Sequence, residues 1–333
     1  MVKSIFFTGA TGYVGGAALQ QILGDKSFKI TALVRNADKA KKLNELGIAT
    51  IVGSLADENL VAKAASEADI VFNVADCDNE AIMSSFLKGM KQRFQKTGEA
   101  PILLHTSGSA IVMDGEVGMK DSEEIWPDND VARLNKLPST ALHRNVDLMV
   151  FAADEEGYIK SYIVCPPTIW GSVTGPLADA GILHKHSIQI PYAVQASIAR
   201  EQGGVVGEGK NIWPHVNVHE VADLFALVLR GAISGTVRHG REGYFFAENG
   251  EYRVIDAARA YTKTLYELGK SATAEPTSFT NEEIVKYFGG PFLGSNCRIR
   301  AVLGRQLGWK PVKTTEDFIA SIPEATKAVV SGL

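Results

Sequence analysis

The sequence predicts a doubly wound α/β fold: a parallel sheet covered by helices on both faces, followed by a smaller, mostly helical lobe. Three observations predict it. Residues 3–23 read as a buried strand, a glycine-punctuated turn and a helix. Residues 28–165 then alternate short runs rich in Val, Ile, Leu and Phe with helix-periodic segments, as strands buried on both faces do. After Gly171 the segments shorten and become turn-rich, with Gly203-Gly204, Gly207 and Gly209.

The opening stretch organises the rest. Lys3 to Thr8 is a mostly apolar strand, and Gly9-Ala10-Thr11-Gly12-Tyr13-Val14-Gly15 follows at once. Gly9 permits the tight turn, Gly12 lets the backbone approach a pyrophosphate, and Gly15 lets the next helix lie close on the sheet. The free N–H groups at the helix start then hold the phosphates. Strand, turn and helix together make half of a dinucleotide-binding Rossmann unit, with Thr11, Tyr13 and Val14 part of the same cradle.

Phe28 to Val34 is the second strand, ended by Arg35-Asn36, and Asp38 caps a helix through Leu46. Ile48 to Val52 is the third strand, and Asp57 caps a helix to Ala68. Asp69 to Ala75 is the fourth strand, with a long helix over Asn79 to Lys96. Pro101 to Ser107 is the fifth. Gly108 to Leu137 is a long polar connection, a length that is usually functional. Pro138 opens a helix to Glu156, and Tyr158 to Cys165 is the sixth strand. Helices are expected at Pro191–Gln202, His219–Arg230, Val254–Leu268 and Asn281–Phe288, with strands near Val216 and at Tyr244–Ala247. This divides the chain into a dinucleotide-binding domain, 1–171, and a substrate lobe, 172–333. Segments such as 212–235 are expected to return to the main fold, the strand near Val216 to the main sheet.

Composition narrows the function. With 333 residues, 45% of them hydrophobic and 22% charged, the chain can build one large core and a smaller lobe. A net charge of −4 without a basic run argues against nucleic acid. Cys77, Cys165 and Cys297 are odd in number and far apart, which points to a reducing, cytoplasmic setting and to neither disulfides nor a metal site. No signal segment and no membrane-spanning apolar run is expected. The partner is a small molecule, and the chain is a monomer or a homodimer.

At the end of the second strand, an acid binds the ribose of NAD, whereas a basic side chain takes the 2′-phosphate of NADP. Here Arg35 ends the strand, which favours NADP over NAD. The alternative is a solvated Arg35 with Asn36 on the ribose. Ser54 and Leu55 lie where adenine stacks, and Val74 and Ala75 run beside the middle of the cofactor.

Four stretches resemble the extended short-chain dehydrogenases/reductases. Thr8-Gly9-Ala10-Thr11-Gly12-Tyr13-Val14-Gly15 is similar to their TGxxGxxG turn. Cys165-Pro166-Pro167-Thr168-Ile169-Trp170-Gly171 resembles RPxxxYG. His215-Val216-Asn217-Val218-His219-Glu220-Val221-Ala222-Asp223-Leu224 resembles the hVxDva strand-to-helix segment, and Leu307-Gly308-Trp309-Lys310-Pro311 resembles LGWxP. Arg35 is more like the NmrA-like branch. The resemblance implies that Pro166 and Thr168 lie beside the nicotinamide. It also implies a catalytic Ser after the fifth strand, matched by Ser109 with Ser107 second, and Tyr-x-x-x-Lys on the following helix. That pair is missing: aligning Asp147 with the acid that trails the motif puts Ser139 for Tyr and His143 for Lys.

Ser139, His143 and Asp147 recur every four residues and would share one helix face. His143 is then the candidate general acid or ribose ligand, with Asp147 orienting it. The alternative pairs Asp147 with Arg144 on a solvated face. Trp170, Ile182, Tyr192, Trp213 and His215 are candidates for an apolar substrate pocket, or for plain core packing. The leading expectation is an NADP-dependent oxidoreductase acting on a small carbonyl or imine-like group. The rivals are a non-catalytic NADP sensor of NmrA-like type and a nucleotide-sugar epimerase or dehydratase.

Overall fold

The computed structural model describes residues 2–332. Its first half alternates without exception: β1 (Lys3–Thr8), α1 (Tyr13–Gln20), β2 (Phe28–Val34), α2 (Ala37–Glu45), β3 (Ala49–Val52), α3 (Glu58–Ser66), β4 (Ile70–Asn73), α4 (Glu80–Thr97) and β5 (Ile102–Thr106). Short elements follow, β6 (Trp126–Pro127) and α5 (Val131–Leu134), then α6 (Arg144–Glu155), β7 (Lys160–Cys165) and β8 (Thr168–Trp170). The second half holds α7 (Pro176–Asp179), α8 (Gln189–Ala199), β9 (Gly204–Val205), β10 (Ile212–Asn217), α9 (Val218–Ser234), β11 (Tyr244–Phe246) and β12 (Glu251–Arg253). It ends with α10 (Val254–Glu267), β13 (Thr277–Ser278), α11 (Asn281–Phe288), β14 (Ile299–Arg300), α12 (Val302–Gln306) and α13 (Thr315–Val330).

Seven strands form one parallel sheet in the order β11-β7-β5-β4-β1-β2-β3. The chain leaves β1 towards β2 and β3, then crosses back to β4, so the order reverses between β1 and β4. Crevices at such reversals, outside the carboxyl ends of the strands, are where ligands bind. Aromatic side chains fill both faces. Phe7, Phe72 and Phe225 of α9 stack in succession, with ring centroids 4.6 and 5.5 Å apart. On the other face Phe6 meets Phe86 of α4 at 6.0 Å. Gly89 permits that side's tightest approach, since a Cβ there would stand 2.1 Å from the Ala62 carbonyl oxygen of α3.

The second half contributes to both bodies. β11 extends the main sheet beside β7, and α9 packs on α1. The strand near Val216, expected in the main sheet, is corrected: β10 pairs with β8 and β12 in a separate sheet, β12-β10-β8, against which α10 and α13 pack.

Two local expectations are corrected. Asn36, not Asp38, caps α2: its side chain accepts the Lys39 N–H at 2.9 Å. The helix expected from Pro138 starts only at Arg144. Residues 138–143 instead form successive turns, with the Ala141 N–H on the Pro138 carbonyl and the Arg144 N–H on the Ala141 carbonyl. His143 follows them in the left-handed region, φ 69°. A left-handed residue breaks the i→i−4 ladder, so the helix cannot extend back through it.

Candidate functional site

The glycine turn is built as a cradle. Gly9 sits at φ +85°, and a Cβ there would stand 2.5 Å from the Val74 carbonyl oxygen. A Cβ on Gly15 would stand 2.2 Å from the Gly9 carbonyl oxygen. Gly12 is the N-cap of α1, with no side chain capping the helix and no acid in its first turn. A Cβ on Gly12 would meet only the Gly9 carbonyl oxygen, at 3.2 Å. The helix start is thus open, electropositive and stripped of side chains, which fits a pyrophosphate. Thr11 and Val14 flank it, half-buried. The Tyr13 ring turns away instead: it is buried, and its hydroxyl donates to the Gly171 carbonyl at 2.5 Å.

Arg35 ends β2 exposed, with no ion pair or side-chain hydrogen bond among the described residues. Asn36 beside it is occupied as a helix cap. Ser54 is exposed and Leu55 half-buried past β3, and Val74 and Ala75 leave β4 at the switch point. Pro166 accepts the Ser109 N–H through its carbonyl, and Thr168 is buried against the Tyr252 hydroxyl at 3.0 Å.

At the carboxyl ends of β1, β4 and β5 runs a polar chain that the sequence did not announce. Thr8 donates to Asn73 Oδ1 at 2.7 Å, and the Ala75 N–H donates to the same oxygen at 3.3 Å. That backbone donor fixes the amide orientation, so Asn73 Nδ2 donates to His105 Nδ1 at 3.1 Å. His105 Nε2 must then carry the proton, and it has no partner among the described residues. Burial, followed by the neighbouring His143, drives the His105 pKa down to about 3, so the ring is neutral.

His143 lies nearby, reached from the other side. Its Nδ1 is 2.5 Å from Asp78 Oδ1 and 3.5 Å from Cys77 Sγ. Gly108 makes room for the ring, because a Cβ there would stand 2.6 Å from His143 Nε2. Asp78 and Cys77 come from the loop after β4. Their only sequence signal was the polar run Asp76-Cys77-Asp78-Asn79 directly beyond a buried strand.

The expected face of Ser139, His143 and Asp147 does not form. Ser139 is exposed in the turn before the helix. Asp147 is fully buried: Ser107 donates to its Oδ2 at 3.1 Å and Tyr244 at 2.7 Å. Burial outweighs those bonds and raises the Asp147 pKa to about 6. Ser109 is likewise buried, and the Cys297 thiol donates to its hydroxyl at 3.2 Å. The hydroxyls of Ser107 and Ser109 are therefore turned into the core and engaged there.

A cavity of about 280 Å³ lies between α8 and α13, lined by Trp170, Tyr192, Phe318 and Ile322, with His184 and His186 among its polar groups. No lysine or arginine is among the described residues lining it. Two lining residues are bonded to the glycine turn: Gly171 through the Tyr13 hydroxyl, and His184, whose N–H donates to the Thr11 carbonyl at 3.0 Å. Trp213 lines a separate small cavity. Ile182 and His215 are corrected to core residues. Trp170 donates through Nε1 to His215 Nδ1 at 3.1 Å, and His215 Nε2 meets the Thr315 hydroxyl at 2.9 Å. Both nitrogens are used, and burial lowers the His215 pKa to about 4.

Among the described residues no helix is long and apolar enough to cross a membrane. Residues 9–98 match the family model described as NAD(P)H-binding. The chain is 29% identical to "Oxidase ucsJ" of Acremonium sp over 94% of each chain. It is 22% identical to a decarboxylating sterol-4-alpha-carboxylate 3-dehydrogenase of Dictyostelium discoideum over 51% of this chain and 55% of that one. The fold is similar to that of the UDP-glucose 4-epimerase of Thermotoga maritima, at TM-score 0.65 and 14% identity over 98% of this chain and 99% of that one. Residues 9–98 therefore match an NAD(P)H-binding domain, and the chain as a whole shares its fold with that epimerase.

Proposed function

We propose that the chain is an NADP-dependent oxidoreductase that reduces the carbonyl of a largely apolar small molecule, with His143 in place of the missing Tyr-Lys pair. The observation that carries this reading is the short contact between His143 Nδ1 and Asp78 Oδ1. A carboxylate on Nδ1 fixes the orientation of the ring and leaves Nε2 to give up a proton. Arg35 supports the choice of NADP, as an unengaged guanidinium at the end of β2.

When bound, the reduced nicotinamide supplies hydride to the carbonyl carbon. His143 Nε2 delivers the proton to the oxygen, and the products are an alcohol and the oxidised cofactor. Asp78 holds the ring in place through Nδ1. The roles of Thr11, Gly12 and Val14 are to grip the pyrophosphate, and those of Ser54, Leu55, Val74 and Ala75 to bound the adenosine and the middle of the cofactor.

The cavity beside the turn supports an apolar substrate. Trp170, Tyr192 and Phe318 offer flat, apolar surface. A nucleotide diphosphate calls for cations, and among the described residues the lining offers no lysine or arginine. This favours a ketone or aldehyde carrying rings or an alkyl body over a nucleotide sugar. The test is NADPH oxidation against a panel of bulky ketones, aldehydes, enones and imines, with UDP-glucose alongside and cofactor binding measured in parallel. Turnover of ring-bearing carbonyls supports the reading. Tight NADPH binding with no turnover anywhere would point to a sensor.

A further inference from the structure

Cys77, Asp78 and His143 bring one sulfur, one oxygen and one imidazole nitrogen within 4.8 Å of one another. Cys77 Sγ lies 3.5 Å from His143 Nδ1 and 3.5 Å from Asp78 Oδ2. A tetrahedral ion with bonds of ~2.3 Å to sulfur and ~2.1 Å to nitrogen and oxygen sets sulfur–nitrogen and sulfur–oxygen edges of ~3.5 Å. The Sγ–Nδ1 and Sγ–Oδ2 distances already have that length. His143 Nδ1 contacts the other carboxylate oxygen, Oδ1, at 2.5 Å, so the carboxylate must turn to set one oxygen ~3.4 Å from Nδ1. The Asp78 side chain is 50% exposed and its carboxylate has room to swing.

The donor set selects the ion. Magnesium and calcium prefer oxygen throughout, whereas a thiolate with an imidazole and one carboxylate suits zinc and cobalt. Three protein donors leave a fourth position for water. A separate observation points to a ligand here. His105 is fully buried three residues before Gly108, which abuts the His143 ring, and its Nε2 proton has no acceptor among the described residues. An oxygen on the fourth position is the kind of partner such a donor lacks.

We propose that Cys77, Asp78 and His143 form a site for one zinc-class divalent ion at the mouth of the cofactor cleft, and that its occupation shuts off proton delivery by His143. Binding releases the Cys77 thiol proton to solvent and takes the Nδ1 lone pair, so the ring cannot return to imidazolium while the metal stays. The second half rests on the proton-donor reading of His143; the first does not.

The test titrates the metal-free full chain with cobalt(II). The expected result is one equivalent bound, with tetrahedral visible bands and a near-ultraviolet thiolate-to-cobalt charge-transfer band, all displaced by zinc. Cys77→Ser should abolish the charge-transfer band, and Asp78→Asn should weaken binding at least ~10-fold. Cys165→Ser and Cys297→Ser should leave the spectrum intact. Melting curves confirm that each variant is folded, and Asp78→Asn carries the test if Cys77→Ser is not. Absence of the band, or its survival in Cys77→Ser, overturns the site. Zinc should also stop turnover reversibly, with activity restored by a chelator. Normal cobalt spectra with turnover indifferent to zinc would keep the site and overturn its link to the proton donor.

Discussion

His143 turns across the cleft to Asp78 and not along its own helix to Asp147. The Nδ1–Oδ1 distance to Asp78 is 2.5 Å, whereas Asp147 is sealed beneath, bonded to Ser107 and Tyr244. The two carboxylates have separate tasks. Asp78, in a loop at the cleft mouth, orients a histidine. Asp147, in the core, ties the residue after β5 to β11 across β7.

Replacing His143 by Gln should lower kcat for carbonyl reduction by ~10²–10⁴-fold, the usual worth of a positioned acid. NADPH affinity should change only a few-fold. Asp78→Asn should give a smaller loss, since an amide oxygen can still hold the ring through Nδ1, though less firmly than a carboxylate. Steady-state kinetics with fluorescence titration of NADPH checks both. Unchanged kcat in His143→Gln would remove His143 from the chemistry.

Arg35→Asp should weaken NADPH by ~10–100-fold while leaving NADH within a few-fold or improving it. A guanidinium makes charge-assisted bonds to the 2′-phosphate, and a carboxylate repels it and suits the ribose hydroxyls. Parallel binding isotherms for the two cofactors decide it. Equal losses would mean that Arg35 serves only the strand end.

The sheet was largely legible because buried parallel strands write themselves as apolar runs. β1, β2 and α11 carry the expected residue limits, and α4 differs by one residue at each end. The glycine turn was legible too, because its geometry needs glycine at fixed places. The catalytic side was not. Four-residue spacing from Ser139 to Asp147 says helix only if the backbone is helical throughout, and one left-handed residue at His143 cancels the inference. Contacts such as Asp78 to His143 and Ser109 to Cys297 join residues 65 and 188 positions apart, so only the folded topology brings them together.

Asp147→Asn should change how stability depends on pH. The folded-state pKa of Asp147 is raised to about 6 by burial, against ~3.9 in the unfolded chain. A raised pKa means that the folded state holds the proton more tightly. The resulting stabilisation is complete below pH ~4 and is lost as pH climbs through ~6. Asn has no such term and keeps an acceptor for Ser107 and Tyr244. The stability advantage of Asp over Asn should therefore shrink by on the order of 3 kcal/mol between pH 4 and 6.5, then stay level to pH 8. Urea unfolding at each pH measures it. A gap independent of pH would mean that Asp147 is ionised in the fold throughout.

Two glycine-to-alanine changes should separate the cofactor cradle from the proton donor. Gly9 has φ +85°, and its new Cβ would meet the Val74 carbonyl, which is fixed backbone at the end of β4. Gly9→Ala thus carries left-handed strain of about 1 kcal/mol or more as well as a clash that only main-chain movement relieves. It should lower the melting temperature and abolish NADPH binding together. Gly108 has φ −152°, which alanine adopts freely. The three atoms nearest its new Cβ all belong to the His143 ring, with Nε2 at 2.6 Å and Cδ2 at 2.8 Å. The ring must swing away, and it can do so only by loosening its bond to Asp78. Gly108→Ala should therefore keep its melting temperature and its NADPH affinity while kcat falls at least ~10-fold, because a proton donor moved by an ångström loses its reach. Melting curves, NADPH titration and kcat on the same preparations give the answer. A Gly108→Ala protein with full turnover would show that the position of the His143 ring does not govern the reaction.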